Sequence, residues 1–386
     1  MVNPFKFGKE VSGYQFYDRH DVCEKLYRLL KSGTSNIVLY APRRYGKTSL
    51  VLKVLERFNL ESVPSIYFDV SRSTSLERFC EEYASAACAV AGHAKAMVNK
   101  IATYLAHLHP SFSFDGPVPT VKFDYGARMT QTSLAEVLDL PEKIATDLGN
   151  MALIVALDEF QEVAALSSEF ALEKIFRSCV QMHRNVRYVF FGSKTHMLKR
   201  MFGSHSKPFY NSALPMRLDK PPQEESAEFV RSRFADAGIG ISSEAVDKVV
   251  AASGNIPYYL QAVASMTFDA VERAGAKTVR DDDIASAIAY LLDANADLYE
   301  ERLRNLSPSQ RDILLALARE PAGRFDSDYR ARHGLPVSST LHSALKHLVD
   351  DGLVETNPSG YQIGDPFFAR FLLLSPARVF AESRPN

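Results

Sequence analysis

The chain has few cysteines, no surplus of either charge and no long apolar run, and each shortage removes a class of protein. Only Cys23, Cys80, Cys88 and Cys179 occur in 386 residues, with no C-x-x-C pair and no histidine at metal-ligand spacing. That argues against a disulfide scaffold or a zinc module and for reduced, mostly buried thiols. The formal charge is −1, from 45 Lys and Arg against 46 Asp and Glu, so no global field advertises nucleic acid or an anionic membrane. Any nucleic-acid contact has to be local. Apolar stretches stop short of the ~20 residues a membrane helix needs, and no charged-then-apolar leader opens the chain. The expectation is a soluble, cytoplasmic protein without membrane contact. No internal repeat or long low-complexity segment is visible, and 46% hydrophobic residues suffice for two or three packed domains.

What the chain does contain is a run reading A-P-R-R-Y-G-K-T-S over residues 41–49, directly after the apolar segment 37–40. A buried strand that delivers such a loop into a helix presents backbone N–H groups and a positive dipole end to phosphate. Lys47 would neutralise the β and γ phosphates of a nucleoside triphosphate, and the Thr48 hydroxyl would ligate Mg2+. The P-loop pattern G-x-x-x-x-G-K-[ST] has Gly at its first position where this chain has Ala41, which is acceptable if that residue keeps φ below zero. Arg44, Tyr45, Gly46 and Ser49 complete the phosphate-side set. Arg43 and Arg44 are unusual, because the middle of such a loop needs no charge. One of them could clamp the loop on an acid such as Asp69 or Glu162, the favoured role, and one could meet nucleotide or a partner.

A second signal is the apolar strand at 153–157 ending in Asp158 and Glu159. In P-loop ATPases the strand-end Asp holds the Mg2+ shell, and an added Glu orients and deprotonates the attacking water. Side chains alternate along a strand, so adjacent carboxylates can serve metal and water separately. The strand at 188–191 then leads into Ser193 and Lys194, placed to sense the γ-phosphate. Arg200 and Arg217 are candidates for stabilising transition-state charge.

Short apolar runs alternating with helical stretches argue for α/β with a largely parallel sheet, its candidate strands being 37–40, 65–70, 153–157 and 188–191. The irregular segment 110–130 reads as a hairpin or lid-like insertion. Three regions are expected: an ATPase core over 1–219, a helical lid over 220–300 and a winged-helix domain over 301–386. The lid contains helices over 224–238, 242–251 and 258–274 and an acid-rich helix over 281–300. The last region runs helix, helix at 326–332, helix at 337–350, strand at 353–356 and return strand at 361–363, with a cap at Ser307 and Pro308.

Taken together, Pro4 and Phe5, Phe16 with Arg19, the loop 41–49, the segment 157–162, Gly192 with Ser193, the run G-N-I-P-Y-Y-L-Q over 254–261 and Y-Q-I-G-D-P over 361–366 resemble the STAND-type P-loop ATPases of the archaeal-ATPase group, relatives of AAA+ initiator proteins. The resemblance implies a P-loop core, a helical lid and a winged helix that close over ATP or ADP. It places residues 11–19, including Phe16 and Arg19, along the adenine, and Pro257 above the nucleotide. The chain departs from the family at Asp18, where Gly is frequent, and at Lys194, where many relatives carry Arg.

Two outputs stay open. One is a slow ATPase switch that engages a protein partner, with oligomer formation compatible. The other is an ATP-dependent DNA-binding initiator or transcription-type regulator acting through the winged helix, whose helix 337–350 would expose Ser339, His342, Ser343, Lys346 and His347. A small-molecule P-loop kinase is disfavoured by the Asp-Glu strand end and the C-terminal domains.

Overall fold

The computed structural model describes residues 2–8, 19–91, 95–116, 119–124, 129–166, 171–321, 325–336, 338–357 and 360–374. They belong to two compact units, one of Arg19–Ala41 and Lys47–Leu218, the other of the described parts of Met1–Asp18, Pro42–Gly46 and Asp219–Asn386. No helix among the described residues is long and apolar enough to cross a membrane.

The first unit is built on strands β1 (Ile37–Tyr40), β2 (Ser65–Asp69), β5 (Leu153–Asp158), β6 (Val186–Gly192) and β7 (Leu214–Arg217), in the order β2-β5-β6-β1-β7. All four pairings are parallel. β1 and β5 are buried along their whole length, as unbroken apolar runs must be when helices cover both sheet faces. The helix after β1, Lys47–Leu60, buries Leu50, Val51, Val54, Leu55 and Phe58. A short antiparallel pair, β3 (Ser111–Ser113) with β4 (Thr120–Lys122), forms the expected hairpin.

Two features differ from the sequence expectation. β7 is a fifth strand with no apolar run, since it contains Pro215 and leaves Leu214 exposed. Proline is tolerated there because β7 pairs only with β1 and lies at the sheet edge. The segment over 281–300 is also two helices, Asp281–Asp293 and Ala296–Arg304. Asn295 turns its amide back onto the Leu291 carbonyl at 2.7 Å, a local side-chain bond that competes with helix continuation.

The second unit opens with helices Gln223–Asp236, Ser243–Ala252 and Pro257–Arg273. Residues near the start of the chain pack on them: Phe5 lies between Phe229 and Phe234, and Asn3 donates to Ser265 and Asp269. Helix Pro308–Arg319 starts in a capping box between Ser307 and Gln310. It is followed by Ser327–His333, Ser338–Asp350, the antiparallel pair β8 (Val354–Asn357) and β9 (Gly360–Ile363), and helix Pro366–Leu374. That order is a winged helix. Leu341, Ala344, Leu345 and Leu348 of Ser338–Asp350 are buried, while Ser339, His342, Ser343, Lys346 and His347 are exposed. Val337 lies outside the described residues.

Candidate nucleotide site

In the first unit the chemistry gathers at the carboxyl ends of β1, β5 and β6, where parallel sheets of this kind bind ligands. Lys47, Thr48 and Ser49 open helix Lys47–Leu60, so their backbone N–H groups belong to its unsatisfied first turn. Lys47 is buried. The Thr48 hydroxyl donates to Asp158 Oδ2 at 2.7 Å, and the Tyr67 hydroxyl donates to the same oxygen at 3.0 Å. Asp158 Oδ1 accepts the Glu159 N–H at 2.8 Å. Burial pushes the Asp158 carboxyl above its usual range; the Thr48 hydrogen bond opposes this, and the neighbouring Glu159 charge adds to it.

Thr48 and Asp158 thus offer the hydroxyl and carboxylate oxygens that suit a small hard cation. Among the described residues no group of three or more His, Cys, Asp or Glu could hold a metal by itself. A cation here would take most of its shell from phosphate and water, as Mg2+ does in nucleotide sites.

Past Asp158 the backbone turns sharply. Glu159 adopts φ +49°, in the left-handed region, and a tight 3-10 turn follows over Phe160–Glu162. The turn carries the Glu159 carboxylate toward the end of β6, where Oε2 accepts the Ser193 N–H at 3.1 Å and the Ser193 hydroxyl at 2.9 Å. Gln161 Nε2 donates to the same oxygen. Lys194 is bonded to Glu162 Oε1 at 2.9 Å. Arg19 is buried at the start of helix His20–Ser32, whereas Arg200 and Arg217 are exposed. Phe16 lies outside the described residues.

The middle of the loop belongs to the second unit. Gly46 takes φ +78° and Arg44 φ +70°, while Ala41 stays out of the left-handed region, so the missing first Gly carries no strain. The Arg44 guanidinium bonds Asp365 Oδ2 at 2.8 Å and lies over the rings of Tyr258 and Tyr259 at 5.0 and 4.9 Å. Its carbonyl accepts the Tyr258 N–H at 3.3 Å, one residue after Pro257, which starts helix Pro257–Arg273. A clamp is expected of one of the two loop arginines; Arg44 makes such a contact, but on a different acid. Glu162 is engaged by Lys194, and Asp69 by Ser71 and Arg72.

Asp365 is itself held in place. Its Oδ1 accepts the N–H groups of Phe367 and Phe368 at 2.9 and 3.1 Å, and the Tyr299 hydroxyl approaches Oδ2 at 3.3 Å. Tyr45 donates to Glu355 Oε2 on β8 at 2.9 Å, and Glu355 lies so close to Gly364 that a Cβ there would come within 2.8 Å of its carboxylate. Arg43, Arg44, Arg302, Glu355 and Asp365 help line a cavity of about 410 Å³. Sequence reasoning missed Gln161, Tyr67, Glu355 and Asp365 as functional partners; only the presence of Gln161 and Asp365 in the family-like segments pointed toward two of them.

Residues 16–263 match a family described as an ATPase domain predominantly from Archaea, and residues 297–374 match a family described as a probable winged helix domain. Among solved structures, a Walker-type ATPase of Pyrococcus abyssi has a TM-score of 0.67 at 20% identity, covering 96% of this chain and 99% of that one. The Aeropyrum pernix ORC2 protein, solved as ADPNP-ADP complexes, has a TM-score of 0.58 at 16% identity, covering 95% and 98%. At these identities the likeness establishes the fold. A comparison with curated proteins finds no match.

Proposed function

The chain belongs to the family of ATPase domains found predominantly in Archaea, and from that premise we propose that it is an ATP-binding, slowly hydrolysing switch of the STAND type. Its nucleotide state would set the orientation of a helical lid, near residues 220–300, and of the winged helix for engagement of a protein partner. The observation that carries this reading is the ion pair between Arg44, inside the phosphate loop, and Asp365, at the start of the last winged-helix helix. A loop that would hold phosphate is thereby paired with the element that would signal its state. Nucleotides shift such an equilibrium only through differential affinity, about 1.4 kcal/mol for each tenfold change in population.

In this reading Gly46, Lys47, Thr48 and Ser49 hold the phosphates. Arg19 would line the base side, the role the resemblance implies for it and for Phe16, and Pro257 would face the nucleotide from the lid. Thr48 and Asp158 would hold Mg2+, which would offset the negative charge of the phosphates. Glu159 orients the attacking water and takes its proton, with Ser193 and Lys194 beside it to sense the γ-phosphate. Lys47→Ala should lose ATP binding by at least about tenfold, since it removes the cation facing the phosphates. Glu159→Gln should bind ATP normally and hydrolyse it ~100-fold or more slowly, the scale of a lost general base. Binding isotherms and phosphate release check both, and rapid turnover by Glu159→Gln would refute the assignment.

A second reading, DNA binding through the winged helix, draws on the exposed face of Ser338–Asp350. Lys346 is the one Lys or Arg exposed along that helix, so phosphate contacts would be few and salt-sensitive. This favours a protein partner. Gel-shift assays with duplex DNA at low and high salt should show no complex at either; a low-salt complex abolished by high salt would favour the DNA reading.

A further inference from the structure

Gln161 has no role in the hydrolytic scheme above, yet it is fully buried beside the strand-end carboxylates. Its amide nitrogen donates to Glu159 Oε2 and lies 3.3 Å from Glu162 Oε1. The reverse amide orientation would set a carbonyl oxygen against two carboxylates, so the network fixes which end faces them. Gln161 Oε1 is then buried with no hydrogen-bond partner among the described residues, a cost that ordinary packing does not explain.

Space for this side chain comes from Gly192, the last residue of β6. A Cβ at that position would clash with Gln161 Oε1 and lie 3.1 Å from Glu159 Cα. Phe160, on the same turn, packs at 4.6 Å from Phe190 and 5.1 Å from Phe209, which pins the backbone that presents Gln161. The left-handed backbone at Glu159, the glycine and the orphaned acceptor converge on one outcome. The Glu159 carboxylate is locked through Oε2 by three donors: the Ser193 N–H, the Ser193 hydroxyl and the Gln161 amide.

We propose that Gln161 is a positioning residue for ATP hydrolysis, fixing the rotamer of Glu159 so that Oε1 is presented to the attacking water. This rests on the ATPase reading. With Oε2 committed to three donors, Oε1 has no hydrogen bond among the described residues and is the oxygen able to receive a proton. In the step itself a water oxygen bonds to the γ-phosphorus, the bridging P–O bond to ADP breaks, and the water proton passes to Glu159. Gln161 exchanges no proton. It removes rotational freedom from the base before the nucleotide arrives, and misplacement of a catalytic group by about 1 Å can cost on the order of 100-fold in rate.

The test is steady-state and single-turnover hydrolysis of Mg-ATP by the full chain and three variants. Gln161→Leu keeps the approximate volume without the amide and should lower kcat at least about tenfold while KM stays within about twofold, the signature of an interaction used only in the transition state. Gln161→Glu, close in shape, should be slow near neutral pH and recover as pH falls, because its protonated carboxyl again donates to Glu159. Gly192→Ala should reproduce the kcat loss by displacing Gln161 rather than changing it. A folded Gln161→Leu protein with unchanged kcat, equal losses in kcat and affinity, or a Gln161→Glu pH profile like that of the original protein would overturn the inference. If the original protein binds ATP and never hydrolyses it, the ATPase reading fails and this inference with it; normal turnover with an indifferent Gln161→Leu removes only the inference.

Discussion

Gly46 and Arg44 hold positive φ two residues apart, and only one of them is a glycine. At Gly46 an added methyl group would meet nothing within 4 Å, so the requirement there is backbone conformation rather than space. Alanine at this position would meet a left-handed penalty of ~1–2 kcal/mol. The loop would relax locally, binding would have to restore it, and Gly46→Ala should weaken ATP affinity about tenfold with little change in melting temperature, as calorimetry would show. Lys47, Thr48, Asp158 and Glu159 are legible in the sequence because their spacing along strand ends and a helix start fixes where they emerge. The partner of Arg44 is not, since Asp365 lies 321 positions away and sequence-local acids such as Asp69 are equally eligible. Gln161 is hidden for another reason: its role depends on a glycine on a neighbouring strand.

At the level of elements, legibility follows apolar character, which even the edge strand β2 keeps through buried Ile66 and Phe68. β1, β5 and β6 announce themselves as apolar runs because they lie inside the sheet. β7 does not, since an edge strand can carry Pro215 and exposed residues and still complete the parallel ladder to β1. The turn at Phe160–Glu162 shows how an element can serve two ends. Phe160 lies among Phe176, Phe190, Phe202 and Phe209, while the residues on either side of it, Glu159 and Gln161, face the chemistry. Removal of such a buried ring would cost ~3–5 kcal/mol, enough to explain why the turn holds a strained Glu159. In the winged helix, heptad-like burial makes the helix at 338–350 readable, and the cap at Ser307 marks a helix start correctly.

At the scale of the whole molecule, the proposed switch makes the phosphate loop part of two things at once: a nucleotide site and a contact with the winged helix. Asp365 is the residue through which this can be interrogated. Its Oδ1 caps helix Pro366–Leu374 while its Oδ2 holds Arg44. Asparagine is as good a helix cap as aspartate, so Asp365→Asn should keep the helix and remove the charge that anchors the loop. The decisive measurement is the release rate of a fluorescent ADP analogue from the original protein, Asp365→Asn and Arg44→Ala, with melting temperature recorded alongside. Both variants should stay folded and release nucleotide about tenfold faster, equivalent to ~1.4 kcal/mol of lost coupling. Release rates within about twofold of the original for both folded variants, on the scale of a surface ion pair that contributes little, would contradict the switch.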